Sequence, residues 1–228
     1  MLYSFIRLFT VAVIAVCSIH SYSKDMEIGF MAGPTVTKHF TNFGIKYNPD
    51  VRYAAEFMFQ YRFTNIIGLR TGLGYENKGA RINYVSLVDQ SGNDISNGKV
   101  QFHQHYLTLP VLAEFTFGKK VQPFVNAGIY LGVLLNSKTV FRYGDNKTSD
   151  NITNDKQRID VGVMASAGIK VPVKKSCSFV FEVRNNIGLL NVYKNNFPGS
   201  ERYKTRNYST SFNVGFSYRF SKNEAASK

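Results

Sequence analysis

The 228 residues hold only two cysteines, four histidines and six prolines. Two cysteines exclude a disulfide framework, and no thiol or acid lies beside the histidines in the pattern of a metal centre. No apolar run reaches the ~20 residues of a spanning helix, so any membrane crossing falls to strands. Acids are also scarce: 15 stand against 28 Lys and Arg, a formal charge of +13. A balance this basic suits nucleic acid or anionic lipid. Lys and Arg are nowhere gathered into a patch, and the leading segment points to export; both argue against nucleic acid. No heptad or solenoid repeat is present.

Residues 1–23 have the form of a secretory signal. Arg7 gives the positive start, Leu8 to Ile19 the short apolar run, and Ser21-Tyr22-Ser23 small residues before a cut at Lys24. The competing form is a lipoprotein signal, Ile14-Ala15-Val16-Cys17, in which the branched Val16 fits poorly. Cleavage before Lys24 leaves a formal charge of +12, Cys177 as the remaining cysteine, and one domain over 24–228 with a tail at 221–228.

What the chain does have is a rhythm. Eight stretches of alternating apolar and polar residues are separated by gaps that run long, short, long, short, long, short, long. The short gaps are Thr64-Asn65, Gly118 to Lys120 and Val173 to Ser176; the long ones are Thr37 to Asp50, Arg81 to Phe102, Thr139 to Gln157 and Asn191 to Asn207. Tight turns at one rim and long loops at the other mark an all-β fold: an eight-stranded antiparallel transmembrane β-barrel, an up-and-down meander. The termini and the short turns, two of which carry paired lysines (Lys119-Lys120 and Lys174-Lys175), belong on the periplasmic side.

The faces say which side is inside. In the last strand Phe212, Val214, Phe216, Tyr218 and Phe220 oppose Ser211, Asn213, Gly215, Ser217 and Arg219, a period-two alternation. The second strand sets Tyr53, Phe57, Phe59 and Phe63 against Arg52, Glu56, Gln60 and Arg62. Leu112, Phe124 and Leu134 break the pattern by falling on polar faces. An eight-stranded barrel holds only side chains or one small ligand, so the roughly forty apolar residues must face outward, into lipid. The polar face alternates Gly with long charged side chains, which fills a narrow interior.

That interior is nearly neutral. Its acids are Glu27, Glu56, Glu76, Glu114, Asp160 and Glu182; its bases are Arg52, Arg62, Arg70, Lys78, Lys170, Arg184 and Arg219. Charges shut away from water must be paired, so these residues are expected to form an ionic network that seals the barrel. An open pore would carry one dominant sign. Pro110, inside the fourth strand, predicts a bulge or local break there.

Residues for chemistry are few. His39, His103 and His105 sit in or beside long loops without a serine-and-acid arrangement in their own strands, and no catalytic, metal or cofactor residue is assigned. The Asn146-Lys147-Thr148 and Asn151-Ile152-Thr153 sequons read as polar loop. Lys194, Arg202, Lys204 and Arg206 make the fourth long loop the most basic, and lipopolysaccharide phosphate is its natural partner.

Three segments carry a family resemblance. Tyr106-Leu107-Thr108-Leu109-Pro110-Val111-Leu112, Gly72 to Ala80, and Pro123 to Tyr130 resemble, in order, the "YLxLPxL", "L-x-Y-x-x-K-G" and "PYxxAGxY" segments of the PorT-like outer-membrane β-barrel family. The resemblance spans the mature chain and implies the outer membrane of a Gram-negative cell, with a link in one member to a protein-secretion system. Phe220 would be the aromatic residue read by barrel-assembly machinery, though eight residues follow it. The expected function is a non-enzymatic barrel acting through its loops, in contact with outer-membrane lipid, lipopolysaccharide or secretion-system proteins. The alternatives are a lipid-modifying surface enzyme and a soluble periplasmic ligand-binding barrel.

Overall fold

A computed structural model describes residues 25–42, 44, 46–88, 94–143, 146–194 and 204–221, with the backbone alone for 84–88 and 94–97. The expected signal segment, Cys17, Arg202 and positions 222–228 of the tail lie outside the described residues. The strands are β1 Asp25–Thr41, β2 Asp50–Arg62, β3 Ile67–Val88, β4 Asp94–Thr116, β5 Gln122–Tyr143, β6 Asn146–Asn151, β7 Ile159–Pro172, β8 Cys177–Gly188 and β9 Thr205–Ser221. Eight of them form an antiparallel ring, each paired to its neighbour in the chain once β6 is set aside. The ring closes where β1 pairs β9, from Asp25↔Ser221 to Thr41↔Thr205. Short β6 pairs with β5 alone, from Lys138↔Asn151 to Tyr143↔Asn146.

The tight turns have local causes. Thr64 Oγ1 accepts from the amides of Ile66 (3.2 Å) and Ile67 (2.9 Å). Gly118 takes φ +81°, which side chains with a Cβ avoid. Phe117 N donates to Pro123 O at 2.8 Å across the same turn.

The outward face is an apolar belt. On β4 it runs from Phe115 to Leu107, on β5 from Val125 to Leu135, and on β9 from Phe220 to Phe212, all exposed. Rings bracket it: Tyr218 against Phe220 (4.8 Å) at the turn rim, Tyr53 against Tyr75 (5.8 Å) and Phe40 against Tyr208 (5.2 Å) toward the loops. Aromatic girdles at both edges of an apolar band are what a lipid bilayer selects.

The structure corrects the sequence expectation in two places. Much of the supposed second loop is strand, since β3 continues to Val88 and β4 begins at Asp94; β5 and β6 likewise occupy most of 139–151. Above the lipid, backbone pairing persists without period-two hydrophobicity, so alternation could not mark it. At Pro110 the expectation holds in its second form, a local break and not a bulge: register between β3 and β4 is the same on either side of it, and the pairing is interrupted between Thr71↔Val111 and Gly74↔Thr108. Thr71 Oγ1 donates to the Pro110 carbonyl at 2.7 Å. The bulge lies further on: Tyr106 opposes Leu134 while His105 opposes Asn136, leaving Leu135 extra. Leu134 therefore faces inward and Leu135 outward, 1% and 50% exposed.

Candidate functional site

Inside the ring the charges stack in layers. Nearest the turns, Glu27 meets Lys170 (3.1 Å), Arg62 (3.4 Å) and Arg219 (3.7 Å), and Lys170 also meets Glu114 (2.9 Å). Gln60 joins them, donating to Glu114 at 2.6 Å and accepting from Lys170. In the middle, Arg70, Glu56, Arg184 and Glu182 form a closed ring of alternating sign. Arg70 contacts Glu56 (3.0 Å) and Glu182, while Arg184 contacts Glu182 (2.7 Å) and Glu56. Toward the loops, Lys78 is shared by Asp160 (3.1 Å) and Glu76 (3.4 Å) and lies 4.2 Å from the Tyr130 ring centroid. Tyr130, Asn207 and Asn186 donate to these acids at 3.2, 3.0 and 2.9 Å. Desolvating this many charges is tolerable only because each acid meets a cation and further donors.

Apolar fillers complete the cross-section. Leu112, Phe124 and Tyr130 are buried, with Met31, Met58, Met164 and Val180 around them. Phe124 lies where a Cβ on Gly168 would come within 2.5 Å of its ring, so glycine on one strand makes room for the ring of the next. A cavity of about 10 Å³ remains beside Glu56, Glu76 and Arg184, the size of a single water.

Arg52 stands apart from the other sequence-selected residues. It reaches Asp50 and, at 2.7 Å, His103 Nδ1, near the loop rim. His103 thus has companions from another strand, which reading along β4 could not reveal. The nearest partner of its ring is nevertheless a guanidinium and not an acid, so it lacks the orienting carboxylate of a catalytic base. His105 meets the Tyr75 hydroxyl. Among the described residues no group of three His, Cys, Asp or Glu is placed to hold a metal ion.

Two charged residues of the filled interior escaped the sequence reading. Asp50 shares its strand parity with Arg52, and extending β2 by one step would have found it. Lys156 carried no such signal. Its segment crosses the barrel mouth, with a 3-10 turn at Thr153–Asp155, an antiparallel bridge to Tyr193, and Gln157 N donating to Val192 O at 2.9 Å. The Lys156 side chain is fully buried, 3.1 Å from the Tyr193 ring centroid and 5.7 Å from that of Phe102, and its Nζ has no hydrogen-bond partner among the described residues. Burial holds this amine well below the usual lysine range, against the opposing pull of Asp155. Burial also pushes the Tyr47 and Tyr193 hydroxyls up.

The ring resembles Neisserial surface protein A (14% identity, 85% of this chain and 97% of that one, TM-score 0.43). It also resembles Pseudomonas aeruginosa outer membrane protein OprG (14%, 88% and 97%, 0.45) and the Yersinia pestis attachment invasion locus protein Ail, solved with the heparin analogue sucrose octasulfate (13%, 86% and 99%, 0.42). No curated protein matches the sequence. The model of the outer membrane protein beta-barrel domain matches residues 18–194, so the chain belongs to that family and is an outer-membrane β-barrel.

Proposed function

We propose that this barrel is a non-enzymatic interaction protein whose work is done at its loop rim. The carrying observation is the sealed interior: the Arg70–Glu56–Arg184–Glu182 ring and the fillers around it occupy the width of the barrel. Among the described residues such packing leaves no water path through the barrel. The loops and the strand extensions beyond the belt are then the surfaces that meet partners. The three motifs shared with PorT-like barrels favour an accessory role beside a protein-secretion system. The short turns and both termini face the periplasm, as in barrels with one tight-turn rim.

Purified protein in planar bilayers should give no steady conductance and should leave added phospholipid and lipopolysaccharide unchanged. Reproducible single-channel steps, or lipid turnover abolished by His103→Ala or His105→Ala, would overturn this reading. Orientation is read separately: in intact cells a cysteine at Asn146 should label and one at Lys119 should not.

A further inference from the structure

Beyond the apolar belt, β4, β5 and β6 continue as a three-stranded wall. The belt ends on this side at Leu107 and Leu135, both exposed. Register then fixes what shares the outward face. His105 opposes Asn136; His103 opposes Lys138, which opposes Asn151. One step further Gln101 opposes Val140, which opposes Ser149, with Arg81 beyond Gln101 on β3; last, Lys99 opposes Arg142, which opposes Lys147. Arg81, Lys99, Lys138, Arg142 and Lys147 are all exposed. Among the described residues no acid stands on this face; Asp150 opposes Thr139 and so belongs to the other one.

Like charges directly opposite across strands are destabilising, and here three stand in line. Protection of a free sheet edge explains lysine on an edge strand. It does not explain Arg142, because β5 is paired on both sides at that level, with Lys99 and Lys147. An anion held between the side chains would relieve the repulsion.

Height narrows the anion. A strand rises about 3.3 Å per residue and tilts about 45° in a barrel, so Lys138 stands roughly 7 Å above Leu135 and Arg142 roughly 16 Å. The lower tier, Lys138, lies within the headgroup layer, and His103 beside it is held by Arg52 at 2.7 Å. The upper tier, Lys99, Arg142 and Lys147, lies above any simple phospholipid headgroup, at the depth of a membrane-anchored saccharide.

We propose that the outward face of β4–β6 binds a phosphorylated glycolipid of the outer leaflet, with phosphates at two depths met by these two tiers. The proposal rests on the loop rim facing outward. Arg142 supplies the planar fork that pairs phosphate bidentately.

The test uses the full mature barrel in neutral detergent, where no side is inside or outside, so binding is measured independently of orientation. Lipopolysaccharide in mixed micelles should be retained, and Arg142→Ser/Lys147→Ser should weaken retention about tenfold or more, as loss of two charge-assisted phosphate contacts implies. Lys138→Ser should weaken it less, and Lys119→Ser/Lys120→Ser at the opposite rim should not. Equal retention by the double variant would overturn the proposal. So would equal binding of phosphatidylglycerol or of dephosphorylated lipopolysaccharide, and so would a soluble sulfated glycan that binds more tightly with the same sensitivity to Arg142→Ser/Lys147→Ser. A barrel that binds as expected while cysteine labelling places the loops in the periplasm would retain the lipid site and reject the orientation.

Discussion

Arg70→Met tests whether the central ring is a sealed ionic layer. Arg70 is fully buried and touches both Glu56 and Glu182, so its loss leaves two carboxylates sharing one cation, Arg184. Breaking a buried pair from one side costs about 3–5 kcal/mol, mostly from the charge left uncompensated. Position decides where in that range each variant falls. Arg184 borders the water-sized cavity, so water can reach the acids it abandons; Arg70 is not among the residues lining that cavity. Arg70→Met should therefore cost more than Arg184→Met, near the upper end against the lower. Removing an acid with the base changes the sign of the argument: Arg70→Met/Glu182→Gln restores neutrality and should lose less than either single change. Urea unfolding in lipid vesicles, followed by the heat-modifiable gel shift, reads each of these proteins against wild type. The reasoning is refuted if Arg70→Met costs no more than Lys147→Met at the exposed rim, or if the double variant loses the sum of the singles.

Lys156→Met should raise the thermal midpoint at pH 7, because a buried amine with no hydrogen-bond partner among the described residues is replaced by an apolar chain of similar length. The sign of the pH effect follows from its lowered value: between that value and about 10.4 the unfolded chain holds a proton that the folded one lacks, so wild-type stability rises with pH and the gap to Lys156→Met narrows toward pH 10; a constant gap would count against it. Gly168→Val should destabilise by about 1–3 kcal/mol through overpacking against Phe124, whereas Gly44→Val, with nothing within 4 Å of the added Cβ, should be neutral in the same urea assay.

Much of this barrel is legible in its sequence for one reason: lipid outside and charge inside impose period two on each membrane-crossing strand. Phe212 to Phe220 alternates so strictly that its faces follow, although the strand itself begins earlier, at Thr205. Leu112 and Phe124 break the alternation but not the logic, since a barrel interior needs bulk opposite glycines, and their partners Gly128 and Gly168 lie on neighbouring strands. Above Leu107 and Leu135 the constraint vanishes. There β3 and β4 are held together by backbone pairing, with register shifts between Ile82 and Leu87, and no lipid imposes an apolar outward face.

The interior network illustrates the other limit. Parity selected which charges point inward, but partners are set by strand tilt and shear, which no single strand encodes. Arg70 and Glu182 are 112 positions apart and meet because β3 and β8 lie across the barrel from one another. Arg52 obeys the same parity as Arg62, yet it sits where β2 has left its continuous pairing with β3, and it turns to Asp50 and His103 instead. Lys156 has no parity at all. Its burial depends on a bridge between two loops, and no hydrogen-bond partner for its amine is found among the described residues. Inward charges can thus be read from one strand at a time, whereas the anionic partner of each, and the cations left to seek one outside the protein, depend on the closed ring.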